Sequence, residues 1–175
     1  MATRIDYIAE LDALAIASRL RRLLHRLISD AELIYHDLHI DFKPKWFPIF
    51  HLLANRGPLF LGEIAQSLKI AHPSVIETIN ELVRNGLVIS RQSKADRRRR
   101  RLSLSRAGKR LYEKLWPVWE AFRVACVEVV KEGGNDFLKS IARLEQALDN
   151  QSMSQRIMQR LEKQNKRRRK QNKQK

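Results

Sequence analysis

Between His72 and Arg101 the chain carries two groups of side chains suited to holding a polyanion. The first stands at helical spacing: His72, Ser74, Ile76, Glu77, Thr78, Asn80, Glu81 and Arg84. Hydroxyls at Ser74 and Thr78 can reach phosphates or base edges, and Asn80 has the shape to pair with adenine. Glu77 can accept from a cytosine amino group, and Ile76 can pack on a thymine methyl. The plainer reading of Glu77 and Glu81 is that they solvate a surface helix. The second group is the run Arg97, Arg98, Arg99, Arg100 and Arg101, preceded by Asp96. A carboxylate beside guanidinium groups can hold one of them in a bidentate geometry and aim it into a groove.

Side chains can do this only if something rigid presents them. Val75, Ile79, Leu82 and Val83 recur at i, i+4, i+7 and i+8, which predicts a helix with one buried stripe. Pro73 suits its first turn, with His72 as the cap, and Asn85-Gly86 ends it. A shorter helix from about Leu61 to Leu68 precedes it, burying Leu61, Ile64, Ala65 and Leu68. After it come two β-prone runs, Leu87-Val88-Ile89-Ser90-Arg91 and Leu102-Ser103-Leu104-Ser105, separated by the arginine segment. They predict a hairpin with Lys94 to Arg101 at its tip. Two helices, a turn and a basic hairpin make a winged helix-turn-helix, with one helix for the major groove and the wing for phosphates and minor groove.

The flanks are helical. A long helix over about 5–40 carries Leu20, Leu23, Leu24, Leu27, Ala31 and Ile34 on one face, and Asp41-Phe42-Lys43-Pro44 breaks it. Another helix covers about Trp46 to Asn55, closed by Gly57-Pro58. Ser105 is the expected N-cap of a helix from about Arg106 to Lys131 that Pro117 interrupts. Gly133-Gly134 separates it from a last helix ending at Leu161, with Ile141, Leu144 and Leu148 in register. The expected organisation is one domain over 1–162, with the winged helix at about 46–109, terminal helices at about 5–40 and 106–161, and a disordered basic tail at 163–175.

The net charge of +16 implies a polyanionic partner. Half of it lies from Lys163 to Lys175, eight basic residues with no acid, so the remaining 162 residues are basic in their own right. A single cysteine, Cys126, allows no intramolecular disulfide and agrees with a cytoplasmic setting. Its stripe with Phe122, Val129 and Val130 predicts a buried thiol. The N-terminus has no apolar leader pattern, and no window is long and apolar enough to span a membrane. His36 and His39, with Asp37 and Asp41, fall short of a metal site because no third strong ligand is near. No G-x-S-x-G, glycine-rich phosphate loop or Cys–His pair suggests catalysis, so neither an enzyme nor a cofactor is expected.

Leu61-Gly62-Glu63-Ile64-Ala65 with Leu68, His72-Pro73-Ser74-Val75, Leu82-Val83-Arg84-Asn85-Gly86-Leu87-Val88, Asp96-Arg97-Arg98 and Leu102-Ser103-Leu104-Ser105-Arg106-Ala107-Gly108 follow in order across about sixty residues. This stretch resembles the MarR family of winged-helix transcriptional regulators. The resemblance implies a mainly α fold with a small β-wing and N- and C-terminal dimerisation helices. It also implies a homodimer on double-stranded DNA, and repression relieved by a small aromatic ligand. Trp46, Phe50, Trp116 and Trp119 would line that ligand's crevice. The chain departs from the family in having Lys69 where the inter-helix turn often has glycine, and in its five consecutive arginines. The second departure keeps an alternative open: a general or architectural nucleic-acid binder dominated by the wing and tail.

Overall fold

The computed structural model describes residues 6–92, 100–134 and 136–172. They divide into two compact units, Met1–Leu115 and Trp116–Lys175.

The first unit opens with α1 (Tyr7–Glu10), a 3₁₀ turn over Asp12–Ala15, and α2 (Ile16–Asp37). The single helix expected over 5–40 is therefore broken, because Asp12 adopts a left-handed φ of 45°. Aspartate tolerates that region better than most residues. Asp6 stitches the break: its carboxylate accepts from the Ala9 N–H and takes both terminal nitrogens of Arg22, at 3.0 and 2.8 Å. At the far end His39 is left-handed (φ 51°) and the Ile40 N–H donates to the Tyr35 carbonyl. His39 thus lies past the helix, so His36 and His39 share no helical face.

The reversal sends Ile40 and Phe42 into the core. Phe42 sits edge-on to Tyr35, Trp46 and Phe50, with centroids 5.5, 5.7 and 5.3 Å apart. Such pairs contribute about 0.5–1.5 kcal/mol each beyond their buried area. A 3₁₀ turn, Pro44–Trp46, leads into α3 (Phe47–Arg56), which Gly57 ends at φ 74°. Then follow β1 (Leu59–Phe60), α4 (Leu61–Leu68), α5 (His72–Arg84), β2 (Val88–Gln92) and β3 (Arg100–Leu104). The strands form an antiparallel sheet in the order β1-β3-β2. Leu59 stands opposite Leu102, and Ser90 opposite Leu102 on the other side. Strand β1 was not expected, since two residues after a proline are too few to show a period.

Ser105 caps α6 (Arg106–Gly133) as expected: its hydroxyl accepts from the Gly108 N–H at 2.9 Å and donates to the Gly86 carbonyl at 2.6 Å. Pro117 does not interrupt this helix. An interior proline costs about 3 kcal/mol, and burial of Leu115 and Trp119 on either side offsets it.

In the second unit the expected last helix is two helices, α7 (Phe137–Asn150) and α8 (Met153–Asn172). Ser152 and Gln155 make a capping box between them. The Ser152 N–H donates to Gln155 Oε1 at 3.0 Å, and the Gln155 N–H to Ser152 Oγ at 3.3 Å. Helix α8 also overturns the expected disorder from residue 163, because the segment is helical as far as Asn172. Lysine, arginine and glutamine are good helix formers, and neither glycine nor proline interrupts them. Cys126 is exposed, where a buried thiol was expected. It lies on a stretch of α6 whose Val124, Val127 and Val129 are also exposed.

Candidate nucleic-acid interface

Helix α5 owes its position to the turn before it. Lys69 sits at φ 52°, ψ 39°, the left-handed cap of α4, with its N–H directed to the Ala65 and Gln66 carbonyls. The Ile70 N–H then donates to the Ala65 carbonyl at 3.1 Å. This is the turn in which a glycine is common, and the lysine side chain makes it costlier by about 1–2 kcal/mol. Ala71, in extended conformation, is the N-cap rather than His72, and Pro73 takes the second helical position.

The inward stripe is Val75, Ile79 and Leu82, all buried, whereas Val83 stays 38% exposed. Opposite that stripe, helical spacing places Glu77, Asn80 and Arg84, all exposed. Ser74 is exposed on one flank with Thr78 half-buried behind it; His72 and Ile76 are exposed on the other. Asn80 also lines an open cleft of about 720 Å³ with Phe60, Leu61, Val83, Ser90 and Arg100, between α5 and the sheet.

Glu81 is not a solvating residue. Only 13% of its side chain is exposed, and Trp46 Nε1 donates to its Oε2 at 2.9 Å. Lys45 Nζ donates to Oε1 at 2.5 Å and Lys43 Nζ to Oε2 at 3.4 Å, while Lys45 also lies 3.6 Å from Glu77 Oε1. Lys43, Lys45 and Trp46 thus pin α5 to the stretch before α3. The Lys45 ammonium and the Trp46 N–H lower the Glu81 pKa from 4.5 to about 2. Because the folded value is depressed, the stabilisation is full above pH 4.5 and is lost as the pH falls from 4.5 through 2. In thermal melts, Glu81→Gln should therefore lower the midpoint at pH 7, and its deficit against the parent chain should shrink below pH 4.5. A deficit that does not vary with pH would mean the carboxylate charge is not what holds the helix. Sequence reasoning missed this clamp because its partners lie 35 to 38 residues apart.

On the wing, Arg100 and Arg101 belong to β3 rather than to the hairpin tip. The Arg100 guanidinium folds across the ladder to Ser90 Oγ, 2.8 Å away, and Arg101 lies over the Phe60 ring at 5.2 Å. The strand register, with Gln92 opposite Arg100, brings both into the sheet. Arg97, Arg98 and Arg99, with Asp96, lie outside the described residues.

Of the aromatic set, Trp46 and Phe50 are fully enclosed, at 1% and 0% exposure, within the first unit's core. In the second unit Trp119 is buried and Trp116 is 46% exposed. No helix among the described residues is long and apolar enough to cross a membrane.

Residues 40–99 match the model of the MarR family. The chain is 32% identical over 84 residues to the uncharacterized HTH-type transcriptional regulator YkoM of Bacillus subtilis, covering 48% of this chain and 54% of that protein. It therefore spans about half the length of that relative. It is 30% identical over 105 residues to the HTH-type transcriptional regulator FarR of Neisseria gonorrhoeae, covering 58% of this chain and 72% of that one. Among solved structures, the S. aureus MepR–DNA complex shares the fold with a TM-score of 0.62 at 22% identity, covering 77% of this chain and 97% of that one. NadR in complex with 4-hydroxyphenylacetate does so with a TM-score of 0.54 at 24% identity, covering 85% and 97%. With a matching family model, a regulator matched over most of its length, and the wing and helices in the same order, the chain belongs to the MarR family of winged helix-turn-helix transcriptional regulators.

Proposed function

We propose that this chain is a homodimeric, cytoplasmic, sequence-selective repressor that binds double-stranded DNA through α5 and the wing. The observation that carries the reading is the division of α5 into two faces. One is buried and clamped through Glu81, and the other presents Ser74, Glu77, Asn80 and Arg84 to solvent from a rigid base. A helix held this firmly, with polar side chains outward, has the properties of a major-groove reader. The basic charge of the chain favours a phosphate partner, and MepR, which shares the fold, has been solved on DNA.

Two further elements belong to the proposal. The exposed leucines of α2 favour a second copy as their cover. An aromatic effector is supported by NadR, whose solved complex holds 4-hydroxyphenylacetate, with Trp116 as the open member of the aromatic set. No catalytic role is assigned, in keeping with relatives that are regulators rather than enzymes.

Selection of bound duplexes from a random library tests the reading, followed by competition with unselected duplex. An operator-like consensus with two related half-sites is expected. Ser74→Ala with Glu77→Ala should then shrink the preference for the selected duplex, by an amount equivalent to about 1–3 kcal/mol per base pair no longer read. Equal affinity for selected and random duplex at every salt concentration would replace this reading with a general nucleic-acid binder.

A further inference from the structure

Beyond the winged helix, the largest concentration of charge in the described residues is on α8. Its last acid is Glu162, and Lys163, Lys166, Arg167, Arg168, Arg169 and Lys170 follow, all exposed. Helicity turns this composition into geometry. Arg160, Lys163, Arg167 and Lys170 stand at i, i+3, i+7 and i+10, so they share one face and span about 15 Å along the axis. Arg168 and Arg169 fall on the other side. The helix is also anchored: besides the Ser152–Gln155 capping box, Arg156 donates to the Ala147 and Gln151 carbonyls at 2.7 and 3.0 Å, closing the end of α7. The row of cations therefore has a set direction relative to α7.

We propose that this row is a second duplex-DNA surface, separate from α5 and the wing, that lies along the phosphates of DNA flanking the site α5 reads. The inference rests on the duplex-binding reading above. Charge complementarity selects the partner, since a straight row of cations with no acid after Glu162 matches a duplex carrying a charge about every 1.7 Å of its axis. A lipid surface fits less well. The apolar side chains of α8, Met153, Ile157, Met158 and Leu161, end where the basic segment begins, and the residues after Leu161 are all polar.

The test compares two full-length variants of equal charge. Lys163→Gln with Arg167→Gln removes two members of the row, whereas Arg168→Gln with Arg169→Gln removes two cations off it; glutamine preserves the helix. Binding to a labelled 40-base-pair mixed-sequence DNA duplex is measured from 50 to 200 mM salt, with circular dichroism as a check on helicity. For the row variant, the slope of log affinity against log salt should flatten by about 2. Over that salt range the parent chain should lose about tenfold more affinity than this variant does. The off-row variant should change the slope by less than half as much. Equal losses in the two variants would mean diffuse charge and would overturn the proposal alone. Row-dependent binding found only with duplex RNA or anionic phospholipid vesicles would overturn it too. No binding to the DNA duplex by the parent chain would overturn this inference together with the function it rests on.

Discussion

Replacing Gly108 with alanine should destabilise the winged helix more than any other small substitution in it. Gly108 is buried in the first turn of α6, and a Cβ built there would meet the Leu87 carbonyl oxygen at 2.2 Å and its carbon at 3.1 Å. Neither neighbour is the free end of a side chain. The Leu87 carbonyl also accepts from the Ser105 N–H at 2.9 Å, and Ser105 Oγ accepts from the Gly108 N–H. Any shift that admits the methyl group thus pulls on the cap of α6 and on the entry to β2 together. Overpacking of this kind costs about 3 kcal/mol at the upper end of its usual range. For a chain of this size that lowers the melting midpoint by about 6–12 °C. Gly62→Ala is the control, because its nearest neighbour is the His72 Cε1 at 3.9 Å and the residue lies in α4. There alanine should be neutral or stabilising by about 0.5–1 kcal/mol. Equal melts for the two variants would show that Gly108 is not in close contact with the Leu87 backbone.

Leu20→Glu with Leu27→Glu should convert the proposed dimer into a folded monomer that holds DNA poorly. Both leucines lie on the apolar face of α2 with Leu23, Leu24 and Ile34, and within the chain they are 48% and 55% exposed. Chain folding does not depend on covering them, so the monomer's melt should change little. Two carboxylates on a face that meets its own copy would be placed near their symmetry mates, and burying like charges there is costly. Light scattering should give 20.6 kDa for the variant and twice that for the parent chain. Affinity for a two-half-site duplex should fall by about 10²–10⁴-fold, the gain expected from linking two binding modules. A variant that stays dimeric would place the interface elsewhere; a parent chain that scatters as a monomer would remove the dimer altogether.

Local pattern was enough for α4, read at Leu61–Leu68, and for Val75, Ile79 and Leu82 of the α5 stripe, though not for Val83, because amphipathic spacing decides the element and most of its inner face. The Ser105 cap was legible for a similar reason: capping is satisfied within three residues. The break between α7 and α8 was written in Ser152-x-x-Gln155, a signal present in the sequence but unread.

What only the tertiary structure decided involves groups far apart in the chain. Glu81 has the same local surroundings as any polar residue on the outside of a helix. It becomes a clamp because the reversal at His39–Ile40 carries Lys43, Lys45 and Trp46 across to it. Arg100 and Arg101 became strand residues through register against β2 and β1, which no tally of arginines contains. Pro117 stays helical because burial on both sides outweighs a local penalty. Periodicity, caps and net charge act over a few residues or over the whole chain, so the sequence by itself determined α4, α5, the strands β2 and β3 and the basic character of this protein. Which side chains of α5 stay exposed, and which hold it in place, depended on contacts across dozens of residues, where local pattern carries no information.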